Sequence, residues 1–330
     1  MRVVFMGTPD FAVGTLEAIL EAGHEVAGVV SQPDKAKGRK KELQPTEVKA
    51  AALTHGLTVY QPQKVRDPAF IKTLADLKPD VIVVAAFGQI IPGEILKMPR
   101  YGCLNVHASL LPKYRGAAPI QWAILDGEKE TGVTIMKMGE GLDTGDMLMQ
   151  ESIEIAPDET GGSLFDKLSR LGGELLCETL ELAEEGALVP EQQPETSPTE
   201  YARMITKADG RIDWQKEADV IERYVRGLNP WPSAYTRFGG KMLKIWKASA
   251  AADLCAFESG QVKETAAGPV PGEVLSFRCG ESGSLKGKAI PVACGRGTLL
   301  IEELQLEGKK KMSAEEFLRG RQVPAGTILE

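Results

Sequence analysis

The sequence predicts two domains: an α/β domain built on a parallel sheet, followed by a smaller β domain. In residues 1–155, apolar runs of strand length alternate with segments whose apolar residues recur at helical spacing. That alternation is typical of repeated β-α-β units with helices on both faces of a sheet. Beyond residue 205, short apolar runs alternate with glycine-rich turns, which indicates a small β-barrel or sandwich. A chain of 330 residues has room for both domains.

Each element of the predicted α/β domain has its own signal. Val3–Met6 is an unbroken apolar run suited to a strand buried on both faces, and Gly7 ends it. Thr8 and Pro9 are suited to cap and begin a helix that ends at Gly23. The other predicted strands are Val26–Val30, Val59–Tyr60, Asp80–Ala86, Gly102–His107, Gly132–Met138 and Met147–Ile155. The other predicted helices are Thr46–His55, Asp67–Leu77, Pro119–Leu125 and the leucine-striped Thr160–Glu185.

The segment after this last helix has the composition of an extended linker, because prolines interrupt it repeatedly from Pro190 to Pro198. We therefore expect an N-terminal domain over residues 1–189, a linker over 190–205 and a C-terminal domain over 206–330. The predicted strands of the C-terminal domain are Met242–Trp246, Gly272–Phe277, Ala289–Ala293 and Thr298–Leu304.

Composition excludes several classes of protein. The longest uninterrupted apolar run, Val81–Phe87, is far shorter than the ~18 residues that a membrane span needs, and the N-terminus has no secretory apolar region. Five cysteines without a CxxC pair argue against both a disulfide framework and a zinc ribbon. We therefore expect a cytoplasmic protein with no metal.

The charge is unevenly distributed. Residues 1–205 carry 20 basic and 30 acidic side chains, a net charge of −10, whereas residues 206–330 carry 19 and 16, a net charge of +3. Within the acidic part, residues 35–41 hold five cations in seven positions without an acid. This basic segment is compatible with contact to a polyanion over a limited surface, and equally with a solvated lysine-rich loop.

Of the three histidines, His107 is the candidate for chemistry. His24 and His55 fall at predicted helix C-termini, where the helix dipole favours an imidazole. His107 instead ends a predicted strand, and Asn105, two positions earlier, projects from the same face. Because ligands bind at the carboxyl ends of the strands of open parallel sheets, this pair marks a candidate site, although a hydrogen-bonded structural histidine also fits.

A glycine-rich loop supplies a candidate partner for His107. The loop Gly139–Asp146 contains three glycines, which allow its backbone to approach a ligand closely. Asp143 in this loop is suited to orient the imidazole, and Asp146 competes for the same role. A solvated aspartate in a turn is the alternative.

Two familiar motifs are absent. Ser109 follows His107 closely, but the surrounding residues do not form a G-x-S-x-G elbow, so nucleophilic serine chemistry is not expected. The turn after the first strand lacks the second and third glycines of a dinucleotide fingerprint, so a nicotinamide cofactor is not expected either.

Motifs in both halves of the chain resemble those of the methionyl-tRNA formyltransferases. In the first half they are Gly7–Ala12, Gln32–Asp34, Gly38–Lys41, Asn105–Pro112, Arg115–Ile120 and Gly141–Asp146. In the second half they are Arg211–Trp214, Leu228–Pro232 and Gly308–Ser313. The asparagine, histidine and aspartate alone mark the wider group of formyl-tetrahydrofolate enzymes. The basic segment and the second-half motifs indicate the narrower family.

The resemblance implies an activity in translation initiation: transfer of the formyl group of 10-formyltetrahydrofolate, the co-substrate, to the α-amine of methionyl initiator tRNA. It implies a Rossmann-like N-terminal domain and a C-terminal domain similar to an oligonucleotide-binding barrel. The catalytic residues that it implies are Asn105, His107 and Asp143. The folate-site residues that it implies are Ser109, Leu110, Leu111 and Pro112, and the tRNA-binding residues are Arg39, Lys40 and Lys41.

The chain departs from the family pattern at a few positions. Glu42 and Glu47 stand where the family usually keeps the basic loop neutral or positive, and Tyr114 stands where a tryptophan is frequent. The two glutamates lower the expected charge of the loop and hence its expected contribution to tRNA binding.

Several alternatives remain at this stage. A formyltransferase acting on a sugar-nucleotide amine shares the catalytic residues but has no use for the basic segment. A glycinamide ribonucleotide formyltransferase fits less well, because it needs no second domain. A non-catalytic RNA-binding module also fits less well, because it has no need of Asn105, His107 and Asp143 together. Trp214, Trp231 and Trp246 are candidates for stacking on nucleotides, but a tryptophan between two prolines is more often core. We expect a monomer.

Overall fold

The computed structural model describes residues 1–37, 42–251, 257–259, 269–277 and 287–330. The chain divides into two compact units. Unit 1 comprises residues 1–120, 129–155 and 163–203, and unit 2 comprises residues 121–128, 156–162 and 204–330. The domain boundaries at residues 189 and 205 stay predictions. Among the described helices, none combines the length and apolar content needed to cross a membrane.

Strands and helices alternate along the N-terminal part of the chain, as the sequence predicts. In order they are β1 (Arg2–Gly7), α1 (Phe11–Glu21), β2 (Glu25–Val30), β3 (Lys35–Lys37), β4 (Glu42–Gln44), α2 (Glu47–Thr54), β5 (Val59–Tyr60), α3 (Pro68–Asp76), β6 (Val81–Ala85), α4 (Gly93–Leu96), β7 (Cys103–His107), α5 (Pro119–Asp126), β8 (Glu130–Lys137), β9 (Met147–Glu154) and α6 (Gly161–Glu185). Seven of the strands form one sheet in the order β5-β2-β1-β6-β7-β8-β9. The predicted Rossmann-like α/β class is confirmed.

One edge of this sheet differs from the all-parallel prediction. The five strands from β5 to β7 are parallel, but β8 runs antiparallel to β7, and β9 antiparallel to β8. After β7 the chain continues through α5, which at eight residues is about 12 Å long, and β8 begins beside the end of β7. His107 consequently pairs with Thr134, and Leu104 with Lys137. The connection does not return to the end of the sheet at which β7 begins, so β8 runs antiparallel to β7.

The core of the sheet consists of strands buried on both faces. Every residue of β6 is buried, as are Val3–Met6 of β1. The leucine stripe of α6 is buried as predicted, at Leu164, Leu168, Leu171, Leu175, Leu176 and Leu180. Helix α6 approaches β7 so closely that a Cβ on Gly172 would lie 2.7 Å from Cγ1 of Val106. That contact places α6 on the face of β7 opposite to Asn105 and His107, because side chains alternate along a strand.

The start of α1 differs in detail from the prediction. The helix begins at Phe11, and its N-cap is Asp10, whose carboxylate accepts a hydrogen bond from the Phe11 amide at 3.1 Å. The Thr8 hydroxyl, predicted as the cap, instead donates to the carbonyl of Phe87 at 2.9 Å. Thr8 thereby links the carboxyl ends of β1 and β6.

Unit 2 contains an antiparallel sheet, as predicted for the C-terminal part of the chain. Its later elements are a 3₁₀ turn (Lys207–Gly210), α7 (Ala218–Gly227), β10 (Ala234–Phe238), β11 (Lys241–Ala251), β12 (Phe257–Ser259), β13 (Leu275–Phe277), β14 (Ile290–Ala293), β15 (Thr298–Leu306), β16 (Met312–Ser313) and α8 (Ala314–Gly320). The main sheet has the order β10-β11-β15-β14, with β16 paired to β15. The long strand β11 changes register against β15 at Ile245–Ala248, the kind of irregularity that curls a sheet into a half-barrel.

The three tryptophans singled out in the sequence have different environments. Trp214 is buried in the core of unit 2, and its indole N–H donates to the hydroxyl of Thr236 at 3.1 Å. The expectation of a core position for Trp231 is wrong, because 53% of its surface is exposed. The ammonium of Lys244 lies 5.5 Å from the ring centroid of Trp246.

Candidate active site

The candidate site lies on β7, near the end of the strand. Asn105 and His107 are both buried, and the pleat of the strand projects them from one face. Asn105 pairs with Val84 of β6 on one side and with Met136 of β8 on the other. Strands on both sides therefore hold the backbone of this polar pair.

The loop after β8 brings an aspartate to the same place. It leaves the sheet beside the start of β7, where the Met138 amide donates to the Cys103 carbonyl at 2.8 Å. At Gly145 the loop passes the Lys137 carbonyl so closely that a Cβ would lie 1.8 Å from the oxygen. Asp143 adopts a φ of +52°, which Asp tolerates better than most side chains. The tight glycine-containing turn carries Asp143 to His107.

The His107 ring lies between two acceptors. Its Nδ1 is 3.9 Å from Oδ1 of Asp143, which is longer than a hydrogen bond and within range of a charge interaction. Its Nε2 is 3.0 Å from the carbonyl oxygen of Tyr114. The side chains of His107 and Asp143 are 6% and 19% exposed, so solvent screens their interaction only partly. Because a carbonyl oxygen only accepts, Nε2 is the donor of the bond to Tyr114, and the Asp143 carboxylate faces the other ring nitrogen.

The other carboxylate oxygen of Asp143 is held by backbone. The Gly116 amide donates to Oδ2 at 2.9 Å, so one oxygen is fixed while the other faces the imidazole. Gly116 has a φ of +127°, and a Cβ there would lie 2.6 Å from the Ala202 carbonyl. This position therefore requires glycine. The competing Asp146 is exposed, and its carbonyl accepts from the Lys137 amide at 2.9 Å.

The segment Ser109–Pro112 follows β7 and is hydrogen-bonded to β8. The Ser109 hydroxyl donates to the Lys113 carbonyl at 2.7 Å, so in this structure it closes a turn. The Thr134 hydroxyl on β8 donates to the Ser109 carbonyl at 2.7 Å and accepts from the Leu111 amide at 3.0 Å. Leu111 is buried, whereas Leu110 and Pro112 are half-buried. The folate role predicted for these four residues stays a prediction.

A second cluster of polar side chains lies at the carboxyl ends of β1, β2 and β6. The Phe87 carbonyl accepts from the Thr8 hydroxyl and, at 3.2 Å, from Nε2 of Gln32. Nε2 of Gln89 lies 3.4 Å from Oε1 of Gln32. These side chains extend the row of polar groups at the carboxyl ends of the strands beyond β7. No role for Gln32 or Gln89 is predicted from the sequence, where the only signal is that each glutamine follows a buried strand.

The first three residues of the basic segment form the strand β3. Strands β3 and β4 pair antiparallel, with Lys35 opposite Gln44 and Lys37 opposite Glu42. The predicted tRNA-binding residues Arg39, Lys40 and Lys41 lie outside the described residues.

Asp34, which directly precedes β3, forms an ion pair with Lys49. The Lys49 ammonium donates to Oδ2 of Asp34 at 2.7 Å, and Nε2 of Gln61 donates to Oδ1 at 2.6 Å. The hydrogen bond from Lys49, followed by that from Gln61, lowers the pKa of Asp34 below its usual value. The carboxylate is therefore kept charged, and its two hydrogen bonds anchor the strand that leads into the basic segment.

The other two histidines lie at helix C-termini, as predicted. His24 follows the end of α1, and burial lowers its pKa. His55 is the C-cap of α2, and its Nε2 lies 2.8 Å from Oε2 of Glu17. Within the described ranges, no group of three or more His, Cys, Asp or Glu side chains is arranged to hold a metal ion.

The backbone groups of the site were not predictable from the sequence. The Tyr114 carbonyl and the Gly116 amide contact the His107–Asp143 pair directly, yet a backbone contact has no side-chain signature. Gly116 itself, a residue type that readily adopts a positive φ, is the signal available in the sequence.

Comparison with known proteins gives full-length matches. The family model described as formyl transferase matches residues 1–180, and the model of the formyl transferase C-terminal domain matches residues 204–322. A methionyl-tRNA formyltransferase of Lachnospira eligens is 54% identical over 330 residues, covering 100% of this chain and 99% of the relative. One of Agathobacter rectalis is 52% identical over 329 residues, covering 99% of each.

Solved structures share the fold at lower identity. HypX from Aquifex aeolicus in complex with tetrahydrofolic acid superposes with a TM-score of 0.59 at 21% identity, covering 96% of this chain and 47% of that one. An N-formyltransferase from Helicobacter canadensis superposes with a TM-score of 0.61 at 17% identity, covering 91% of this chain and 98% of that one.

Proposed function

This chain belongs to the formyl transferase family, and on that premise we propose that it transfers the formyl group of 10-formyltetrahydrofolate to the α-amine of methionyl initiator tRNA. The relatives that match it end to end at about half identity are named for this reaction. The observation in the structure that supports the proposal best is the 3.9 Å approach of His107 to Asp143, with Asn105 on the same strand face.

The chemistry has two requirements. The substrate amine attacks the formyl carbon, forming a C–N bond and a tetrahedral intermediate whose oxygen is negative. The bond to N10 of the folate then breaks, while the attacking nitrogen loses a proton and N10 gains one. A free α-amine titrates near pH ~8, and esterification of the carboxyl lowers that value, so the neutral nucleophile is available near neutral pH. No covalent enzyme intermediate is needed.

The three side chains divide this work. The Asn105 amide is a fixed donor for the developing oxyanion. His107 donates a hydrogen bond to the same oxygen, takes the proton that the attacking nitrogen loses and delivers it to N10; Asp143 stabilises the ring while it carries that proton and is charged. The hydrogen bond from Nε2 to the Tyr114 carbonyl must be exchanged for one to substrate when His107 donates through that nitrogen.

The two substrates use different parts of the chain. The segment Ser109–Pro112 lines the folate site with its backbone and with the side chains of Leu110 and Pro112, which are half-buried and so remain accessible to a ligand. Arg39, Lys40 and Lys41 of the basic segment bind phosphates of the tRNA acceptor end. The protein acts as a monomer in the cytoplasm.

Formation of formylmethionyl-tRNA tests the proposal. The purified protein is incubated with 10-formyltetrahydrofolate and charged initiator tRNA, and the ester-linked amino acid is analysed for formylmethionine. Parallel reactions contain a 3-amino sugar nucleotide or glycinamide ribonucleotide as acceptor. Formylation of the tRNA alone supports the proposal, and transfer to either small amine in its place contradicts it.

A further inference from the structure

We propose that Gln193 is a positioning residue that holds Asp143 beside His107, an inference that rests on the proposed function. Gln193 lies in the segment that the sequence predicts as a linker. Its side chain is buried, although its neighbours Gln192 and Pro194 are exposed. Burying an amide is costly unless its polar atoms are hydrogen-bonded, so the contacts of this side chain indicate what it does.

The Gln193 amide grips the aspartate loop at two points. Its Nε2 donates to the Asp143 carbonyl at 3.0 Å and to the Gly145 carbonyl at 2.7 Å. These two carbonyls flank the turn in which Asp143 adopts its positive φ. One NH₂ group thus uses both of its hydrogens to fix the backbone that carries the Asp143 carboxylate.

Arg115 sets the orientation of that amide. Its Nε and Nη2 donate to Oε1 of Gln193 at 3.0 and 2.9 Å, and its guanidinium also donates to the Pro194 and Glu195 carbonyls at 2.8 and 3.1 Å. Because a guanidinium only donates, the amide oxygen of Gln193 faces Arg115 and the NH₂ group faces the loop. The opposite orientation would leave donors facing donors and carbonyls facing an oxygen.

The contacts join in one path to the imidazole. Arg115 precedes Gly116, whose amide holds Oδ2 of Asp143, while Gln193 holds the Asp143 backbone. With backbone and Oδ2 both fixed, Oδ1 is left facing Nδ1 of His107. The Gln193 amide is hydrogen-bonded to Asp143, Gly145 and Arg115, so we assign it a role that acts through Asp143.

Gln193→Met tests this role, because methionine keeps the length of the side chain and removes its hydrogen bonds. Gln192→Met is the matched control, with the same substitution at the exposed neighbouring position. A misplacement of about 1 Å costs up to ~10²-fold in rate, so we expect kcat for formyl transfer to fall at least about tenfold in Gln193→Met. The KM for folate should stay within about twofold, and Gln192→Met should match the unsubstituted protein.

The ring nitrogens of His107 provide a readout that loss of stability alone would not move. The chain has three histidines, so its ¹⁵N imidazole spectrum holds few signals, and His24 and His55 serve as internal references. We expect the His107 signals to shift in Gln193→Met and to stay unchanged in Gln192→Met. Unchanged kcat, or a lower kcat with unchanged His107 signals, overturns the inference.

Arg115→Lys keeps the inference testable if Gln193→Met does not fold. A lysine retains the charge but cannot hold the amide oxygen with two donors, so the same changes are expected with a smaller loss of kcat. Unchanged kcat and His107 signals in a folded Arg115→Lys also overturn the inference. The spectra are recorded on the free protein, so they distinguish the two proposals: absent transfer in the unsubstituted protein contradicts the function, and unmoved His107 signals contradict the role of Gln193.

Discussion

Replacing Asp143 by asparagine removes one negative charge beside His107 and leaves the local shape intact. Asparagine tolerates a positive φ, and its side-chain oxygen can still accept the hydrogen bond that the Gly116 amide now donates to Oδ2. The effect on the rate therefore measures the interaction of the carboxylate with the imidazole, with little contribution from misfolding.

The structure bounds the size of the effect. For the attraction between the carboxylate and a positively charged imidazole ring 3.9 Å apart, Coulomb's law gives about 1 kcal/mol in water-like surroundings and about 4 kcal/mol at an effective dielectric of ~20. The histidine is nearly enclosed and the aspartate is 19% exposed, so we expect an intermediate value of about 2–3 kcal/mol. At 1.36 kcal/mol for each tenfold change, that corresponds to a kcat about 30- to 150-fold lower.

Steady-state formylation of methionyl-tRNA, with thermal unfolding of each variant, measures this loss. Asp146→Asn is the matched control, since Asp146 is exposed in the same loop. We expect its kcat to equal that of the unsubstituted protein. A loss below about threefold in Asp143→Asn, or an equal loss in Asp146→Asn, would refute the electrostatic pairing of Asp143 with His107.

Three further predictions concern other parts of the chain. Asn105→Ala should lower kcat by about 10²–10³-fold with the KM for folate nearly unchanged, because it removes one oxyanion donor; a change in KM alone contradicts that role. Arg39→Ala should raise the KM for methionyl-tRNA and reduce its salt dependence while sparing slow hydrolysis of formyl-tetrahydrofolate, and equal loss of both activities contradicts a tRNA contact. Burial raises the pKa of Cys103 and of Cys294 to about 12, so both thiols should resist a disulfide reagent at pH 8 until the protein unfolds, as mapped by mass spectrometry. Both side chains are buried, so fast labelling of either cysteine in the folded protein contradicts this prediction.

The elements that were predictable from sequence are those whose signals are local. Strand β1 was predictable from the apolar run Val3–Met6, and helix α6 from its leucine stripe, because burial sets the spacing of apolar residues in both. Asn105 and His107 share a face because strand residues two apart always do. The direction of β8 was not predictable, since an apolar strand has the same pattern whether it runs parallel or antiparallel to its neighbour.

The parts that escaped prediction depend on distant contacts. Asp143 and Asp146 were indistinguishable in sequence, and the turn around Gly145 decides that the former reaches His107. Gln193 stands in a proline-interrupted stretch whose composition is that of a linker, and only the fold brings Arg115 to its amide oxygen. Trp231 lies between two prolines, a setting in which a tryptophan is more often core, and is nevertheless exposed.

The position of the formyl group tests the central claim most directly. A crystal structure of this protein with a stable formyl-tetrahydrofolate analogue should place the formyl oxygen about 2.7–3.1 Å from the side-chain amide of Asn105 and within hydrogen-bonding reach of the His107 ring. A formyl group bound at another edge of the sheet, or one that contacts neither side chain, would contradict the account.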